Sequence, residues 1–182
     1  MLKAVLFDLD GTLLHVDTRR FMDEYVRLLA GWFADTIPPK RFVEALLAAT
    51  HAMVDNRDPD RTNQQVFAET FYPAVGKSEA ALAPRLAEFY AREFPKLRAL
   101  VAPDPDARRA VTAVLDRGLD AVVATNPIFP RTAILQRLEW AGVADLAFAH
   151  VTTYETAHFC IPHPEYFLEI ADAIGRNPTE CM

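Results

Sequence analysis

Residues Lys3 to Phe7 form a short run, KAVLF, that is apolar at successive positions and stops abruptly at Asp8. A run of this kind predicts a strand buried on both faces, as in a parallel sheet. Asp120 to Thr125 (DAVVAT) has the same form, and Leu146 to Thr152 (LAFAHVT) is a weaker third instance. Helical spacing fills the gaps. Asp106 to Arg117 reads as a helix with Gly118 just past its end, and Pro130 to Ala141 as another that opens on Pro and stops at Gly142. Pro164 to Ile174 is a third, closed by Gly175. Strand and helix therefore alternate, the mark of an open parallel sheet covered by helices.

The stretch between the first strand and residue 100 holds only amphipathic helical segments. Phe21, Tyr25, Leu28, Leu29, Trp32 and Phe33 recur at helical spacing, as do Phe42, Leu46, Ala49 and Met53. A polar break at Asp55 to Arg61 precedes two more segments, near 62–75 and 78–94. The expected layout is a helical cap at 18–98 inserted into an α/β core of 1–17 and 99–182. The core then has roughly 100 residues, room for three strand–helix units but not for five. The cap's aromatics, Trp32, Phe33, Phe71, Tyr72, Phe89 and Tyr90, are expected to pack its interior rather than line a pocket.

Composition narrows the function classes. The chain of 182 residues is 51% hydrophobic and 24% charged, which excludes disorder and coiled coil. Its net charge is −6 with no strongly basic run, against nucleic-acid binding or a polybasic membrane surface. Cys160 and Cys181 are too few for a disulfide framework and fit a reducing compartment. No apolar run approaches the roughly 18 residues of a spanning helix. Asp8 and Asp10 fall where a signal peptide would need its apolar stretch. A soluble cytoplasmic protein is expected.

The strongest chemical signal is Asp8-Leu9-Asp10-Gly11-Thr12, directly after a buried strand. Ligands of open α/β sheets bind outside the carboxyl ends of the strands, so both carboxylates would face the crevice. One could attack as a nucleophile while the other handles a proton. Gly11 would let the chain turn back sharply. The competing reading is a β-hairpin, with LKAVLFDL and TLLHV as arms and Asp10-Gly11 as the turn. Val122 to Asn126 closes the second strand on Thr-Asn-Pro, by itself ordinary turn chemistry.

Phe7 to Leu14 (FDLDGTLL) resembles the first motif of the haloacid dehalogenase-like (HAD) hydrolases, most of which are phosphatases, and Thr125 stands where that family places its second-motif hydroxyl. The resemblance implies a Rossmann-like parallel sheet with an inserted helical cap and a small phosphorylated metabolite as substrate. It implies catalysis by Asp8, which forms an aspartyl-phosphate, and by Asp10, which protonates the leaving alkoxide and then activates water. It implies substrate contacts from Gly11, Thr125 and Asn126, and Mg²⁺ held by Asp8 and the carbonyl of Asp10.

The sequence also departs from that pattern. The third motif's Lys is replaced by Ile161, and the last Lys in the chain is Lys96. His158 and His163 are the candidate cations nearby, read first as loop or helix-capping residues. The fourth motif, with its further acids, has no counterpart: the chain ends at Asn177 to Met182, and Glu165 and Asp172 lie in the preceding helix. Loss of a comparable electrostatic stabiliser costs roughly 10²–10³ in rate. A missing neighbour would leave an unpaired sheet edge on the first strand, inviting association. A truncated or decayed member is expected. The alternative function is therefore an impaired HAD-like chain that only binds phosphorylated ligands or a protein partner. Arg19, Arg20 and Arg61 are read as solvated surface charge.

Overall fold

The computed structural model describes residues 1–182. Three parallel strands, β1 (Ala4–Phe7), β4 (Asp120–Val123) and β5 (Phe148–Val151), form a sheet in the order β1-β4-β5. Phe7 pairs with Val123, so the ends of β1 and β4 lie level, and Val123 pairs in turn with Val151. Ala121, Val122 and Val123 are fully buried, as expected of a strand covered on both faces. Helices α5 (Ala107–Leu115), α6 (Arg131–Trp140) and α7 (Pro164–Ala173) occupy the expected segments. Gly142 stops α6 in the left-handed region, at φ +72°.

Four helices, α1 (Thr18–Trp32), α2 (Pro39–Asp55), α3 (Asn63–Val75) and α4 (Glu79–Arg92), fill the stretch before residue 100. Their starts follow local chemistry. Asp17 accepts from the Arg20 N–H at 3.1 Å, and Thr62 with Gln65 forms a reciprocal capping box. No helix is long and apolar enough to cross a membrane.

Two short strands escape the sequence pattern. β2 (Leu14–Val16) pairs antiparallel with β3 (Val101–Pro103), Val16 opposite Val101. Three residues are too few to show a period, and tertiary pairing alone makes them strands. This ribbon brings the two ends of the helical stretch together. It also settles the hairpin question: the turn at Gly11 exists, but β1 pairs with β4 and the TLLHV arm pairs with β3.

A cluster of 30 buried residues joins cap and sheet, including Leu9, Phe21, Phe42, Phe94, Val123 and Leu138. The outer edge of β1 is not bare, contrary to the expected unpaired edge. Lys3 donates to Glu180, Leu6 donates to Met182, and Met182 donates to Ala4, all between 2.7 and 3.0 Å. Cys181 lies parallel opposite Ala4, because the turn at Pro178–Glu180 brings the chain back along β1.

Candidate active site

Asp8 and Asp10 stand at the carboxyl end of β1, on either side of a fully buried Leu9. The Leu9 carbonyl accepts N–H groups from Thr12, Leu13 and Leu14 at 3.3, 3.0 and 2.9 Å, and Gly11 donates to the Leu14 carbonyl at 2.8 Å. Gly11 has φ +88°, a value that L residues rarely adopt. Anchoring Leu9 inside leaves the two carboxylates beside it outside the core. Asp8 is exposed and accepts from the Thr12 hydroxyl at 3.1 Å. Asp10 is three-quarters buried and pairs with Arg137, and its Oδ1 is buried with no partner.

The same strand end therefore offers one carboxylate to solvent and withholds the other. Burial, foremost, pushes the Asp10 carboxyl above its ordinary value; Arg137 opposes this by charge and hydrogen bond, and the charge of Asp8 reinforces it.

Arg137 is the residue the sequence reading missed. Its side chain is 1% exposed, its Nη1 meets Asp10, its Cζ lies 4.4 Å from the Phe129 ring centroid, and its Nη2 has no partner. Burial lowers its pKa and Asp10 raises it again, and a guanidinium remains a cation at neutral pH. A signal existed. In RTAILQRLEW, position 137 shares a helix face with the buried Ala133, Ile134, Leu138 and Ala141, so an Arg there points inward.

Thr125 lies two residues past the end of β4, and the N–H of Ala124 before it donates to the Phe7 carbonyl at 2.7 Å, placing Thr125 next to the end of β1. It is buried, and its carbonyl accepts from the Tyr166 hydroxyl at 2.9 Å and the Thr152 hydroxyl at 2.7 Å. Its own hydroxyl is not used in fixing the loop. Asn126 spends its Oδ1 on the Ile161 N–H at 3.1 Å, tying the loop after β4 to the segment before α7.

The other candidates lie elsewhere. Ile161 packs with Leu6 and Phe159 against the cluster of Val122, Ala124, Tyr166 and Ile170. His158 Nδ1 meets Glu169 at 2.5 Å, and His163 Nε2 donates to the Val54 carbonyl at 2.7 Å, so both act in structure. Glu165 pairs with Arg57, and Arg61 with Asp58 and Glu69 at 2.9 and 3.0 Å. Arg19, Arg20 and Asp172 are exposed. No group of three acids, His or Cys comes together as a metal cage.

The cap holds an apolar cavity of about 250 Å³ between α1, α2, α3, α4 and the loop at 128–130. Of the cap aromatics, Phe71, Tyr72 and Tyr90 line it, against expectation, because the four helices meet imperfectly around them. Trp32, Phe33 and Phe89 do pack inside: Phe33 stacks on Phe42 at 5.3 Å, and Trp32 leans on Phe89 at 6.5 Å.

The family model described as haloacid dehalogenase-like hydrolase matches residues 2–182. The chain belongs to the haloacid dehalogenase-like hydrolases. A HAD phosphatase from Thermococcus onnurineus is similar in structure, with a TM-score of 0.56 and 20% identity, over 99% of this chain and 75% of that one. A predicted phosphoglycolate phosphatase from Haemophilus somnus 129PT gives 0.54 and 18%, over 99% and 75%. An L-2-haloacid dehalogenase from Xanthobacter autotrophicus gives 0.50 and 19%, over 100% and 68%. At these identities the likeness shows the HAD-like fold and does not choose between phosphatase and dehalogenase. The comparison with curated protein sequences returned no match.

Proposed function

We propose that this HAD-like hydrolase acts on phosphomonoesters, with Asp8 as nucleophile and Asp10 as acid and base. The observation that carries the reading is the unequal environment of the two carboxylates: Asp8 exposed, Asp10 buried with its pKa raised. Neighbouring acids whose surroundings push them apart divide nucleophile from proton donor. Asp8 forms a bond to phosphorus as the ester P–O bond breaks, and the Asp10 proton goes to the departing alkoxide. The Asp10 carboxylate then takes a proton from water, whose oxygen attacks phosphorus and releases Asp8 and inorganic phosphate. A haloalkane has no alkoxide to protonate, so an acid at position 10 favours the phosphate ester. Gly11, Thr125 and Asn126 frame the site: the Thr125 hydroxyl and the Asn126 N–H are the donors for phosphate oxygens.

Members of this family typically use Mg²⁺. In this chain Asp8 offers one exposed carboxylate and Asp10 its main-chain carbonyl, but no third acid converges on them. The residues present do not fit Mg²⁺ as a resident ion. Arg137 is the only cation buried at the pair, and turnover of this chain is slow as a result. A second reading, a chain that binds phosphorylated ligands without turning them over, is favoured by Ile161, an apolar residue packed where the resemblance calls for a Lys.

Release of phosphate from p-nitrophenyl phosphate, with Asp8→Asn as control, separates the two. Turnover above background that Asp8→Asn removes supports hydrolysis. Tight phosphate-ester binding with turnover equal to the control supports the second reading. Turnover unaffected by the substitution overturns both.

A further inference from the structure

We propose that the cavity inside the cap is a second ligand site, separate from the carboxylate pair, and that it takes an organic ammonium ion with an aromatic or branched-alkyl body. Its occupancy does not depend on what reacts at Asp8. None of Asp8, Asp10, Thr125, Asn126 and Arg137 lines the cavity, and Tyr25, Tyr90 and Phe129 stand between it and Arg137. Of 21 lining residues 17 are hydrophobic, and eight are Phe or Tyr. The volume is about 250 Å³. Apolar cavities of roughly 150 Å³ take up benzene, so this one has room for a fused two-ring body.

The charge of the lining is one-sided. Glu79 is its only ionised residue; it is exposed, and no Lys, Arg or His of the chain pairs with it. A phosphate ester would meet that carboxylate and no cation, whereas an ammonium ion finds its counter-charge. The remaining polar groups mark two ends. The Thr50 hydroxyl donates to the Leu46 carbonyl at 2.9 Å, and the hydroxyls of Tyr25 and Tyr90, 2.9 Å apart, satisfy each other. Gln64, Tyr72 and Tyr154 are left. The Gln64 N–H donates to the Tyr154 carbonyl at 2.8 Å, and the Glu79 charge adds to burial in raising the Tyr72 and Tyr154 phenols above their ordinary value. A carboxylate, an amide and two aromatic rings therefore gather at one end, the acceptors and ring faces that hold an ammonium group.

Helix α4 sets the length of the site. Glu79, Ala83, Leu86, Ala87 and Tyr90 share one face of it, at spacings of three and four. From Glu79 to Tyr90 the axis runs roughly 16 Å. The far end, at Tyr90 and Phe129, backs onto Arg137, whose Cζ lies 4.4 Å from the Phe129 ring centroid. A ligand cation is repelled from that end, so the apolar body goes there and the ammonium group stays at Glu79. Leu47, Ala83 and Ala87 are exposed at the rim, and larger side chains there narrow the entrance without entering the core.

The test titrates the full chain with 1-naphthylmethylamine, a cation at neutral pH, and with 1-naphthylmethanol, its uncharged counterpart, each followed by its own fluorescence. The amine is expected to bind at one site, about fivefold or more tighter than the alcohol. Glu79→Gln should remove most of that preference and leave the affinity for the alcohol unchanged, which also shows the cavity intact. Ala83→Trp and Ala87→Trp should each weaken both ligands about tenfold, and Asp8→Asn should change neither. Absence of binding by both ligands, or binding indifferent to both Trp substitutions, overturns the site. An alcohol bound as tightly as the amine, or a preference that survives Glu79→Gln, overturns the ammonium class. Loss of amine binding in Asp8→Asn places the ligand at the carboxylate pair and overturns a separate site. Hydrolysis of p-nitrophenyl phosphate, present or absent, bears on the phosphatase reading alone.

Discussion

Arg137→Met removes the buried cation while keeping most of the side-chain volume. Arg137 is 1% exposed, and its partner Asp10 is held three-quarters out of water. Breaking a buried pair by deleting one member costs about 3–5 kcal/mol, because the remaining charge is uncompensated. The guanidinium stacked on Phe129 adds about 1–2 kcal/mol when desolvated. Asp10 has an escape, since burial already holds its carboxyl above the ordinary value and it can take up a proton. The expected loss at pH 7 is therefore about 3 kcal/mol, near the lower end of that range. The pH dependence carries the sign. A carboxyl with a raised folded-state pKa binds its proton more readily when folded, so stability falls as pH rises from the unfolded value through the folded one. Arg137 lowers the Asp10 value, so deleting it extends that fall to higher pH. At pH 4 the Asp10 carboxyl of the variant is more fully protonated than at pH 7, and the deficit shrinks toward the stacking loss of about 1–2 kcal/mol. Urea unfolding of wild type, Arg137→Met, Asp10→Asn and the double variant at both pH values measures this. The double variant should recover most of the pH 7 loss. A deficit below about 1 kcal/mol that is the same at both pH values, with no recovery in the double variant, would contradict the pairing of Asp10 with Arg137.

Asp8→Asn should remove hydrolysis yet change stability by no more than about 0.5 kcal/mol in urea unfolding, since Asp8 is exposed and loses only the Thr12 contact. Ile161→Lys should raise turnover of p-nitrophenyl phosphate by less than about tenfold, because one added cation does not complete a metal site; a gain of two orders would show that the lysine alone was lacking. Tyr166→Phe should cost about 1 kcal/mol, because the lost hydroxyl donates to the Thr125 carbonyl from inside the core. Its thermal melt checks the cost, and a weaker affinity for inorganic phosphate would show that Thr125 had shifted. Excess Mg²⁺ or EDTA should leave the melting temperature unchanged within error, and a rise of several degrees with Mg²⁺ would mean that the chain holds the ion after all.

The alternation of apolar runs with helical segments was enough to read β1, β4, β5 and the helices α5 to α7, because each strand is an unbroken apolar run and each helix shows its spacing and a glycine stop. The placement of Asp8 and Asp10 was legible for a similar local reason: a buried apolar run that stops on two acids and a Gly puts both at the end of its strand. Three features were decided by the tertiary structure. β2 and β3 are strands only because residues 16 and 101, far apart in sequence, meet across the base of the cap. The cap cavity exists because four helices leave space between them, and the spacing of Phe71, Tyr72 and Tyr90 fits packing and lining equally well. Arg137 reaches Asp10 across 127 positions of chain, and no local pattern states which buried acid an inward-facing Arg will meet. Periodicity fixes the face a side chain takes, whereas its partner depends on how the elements pack together.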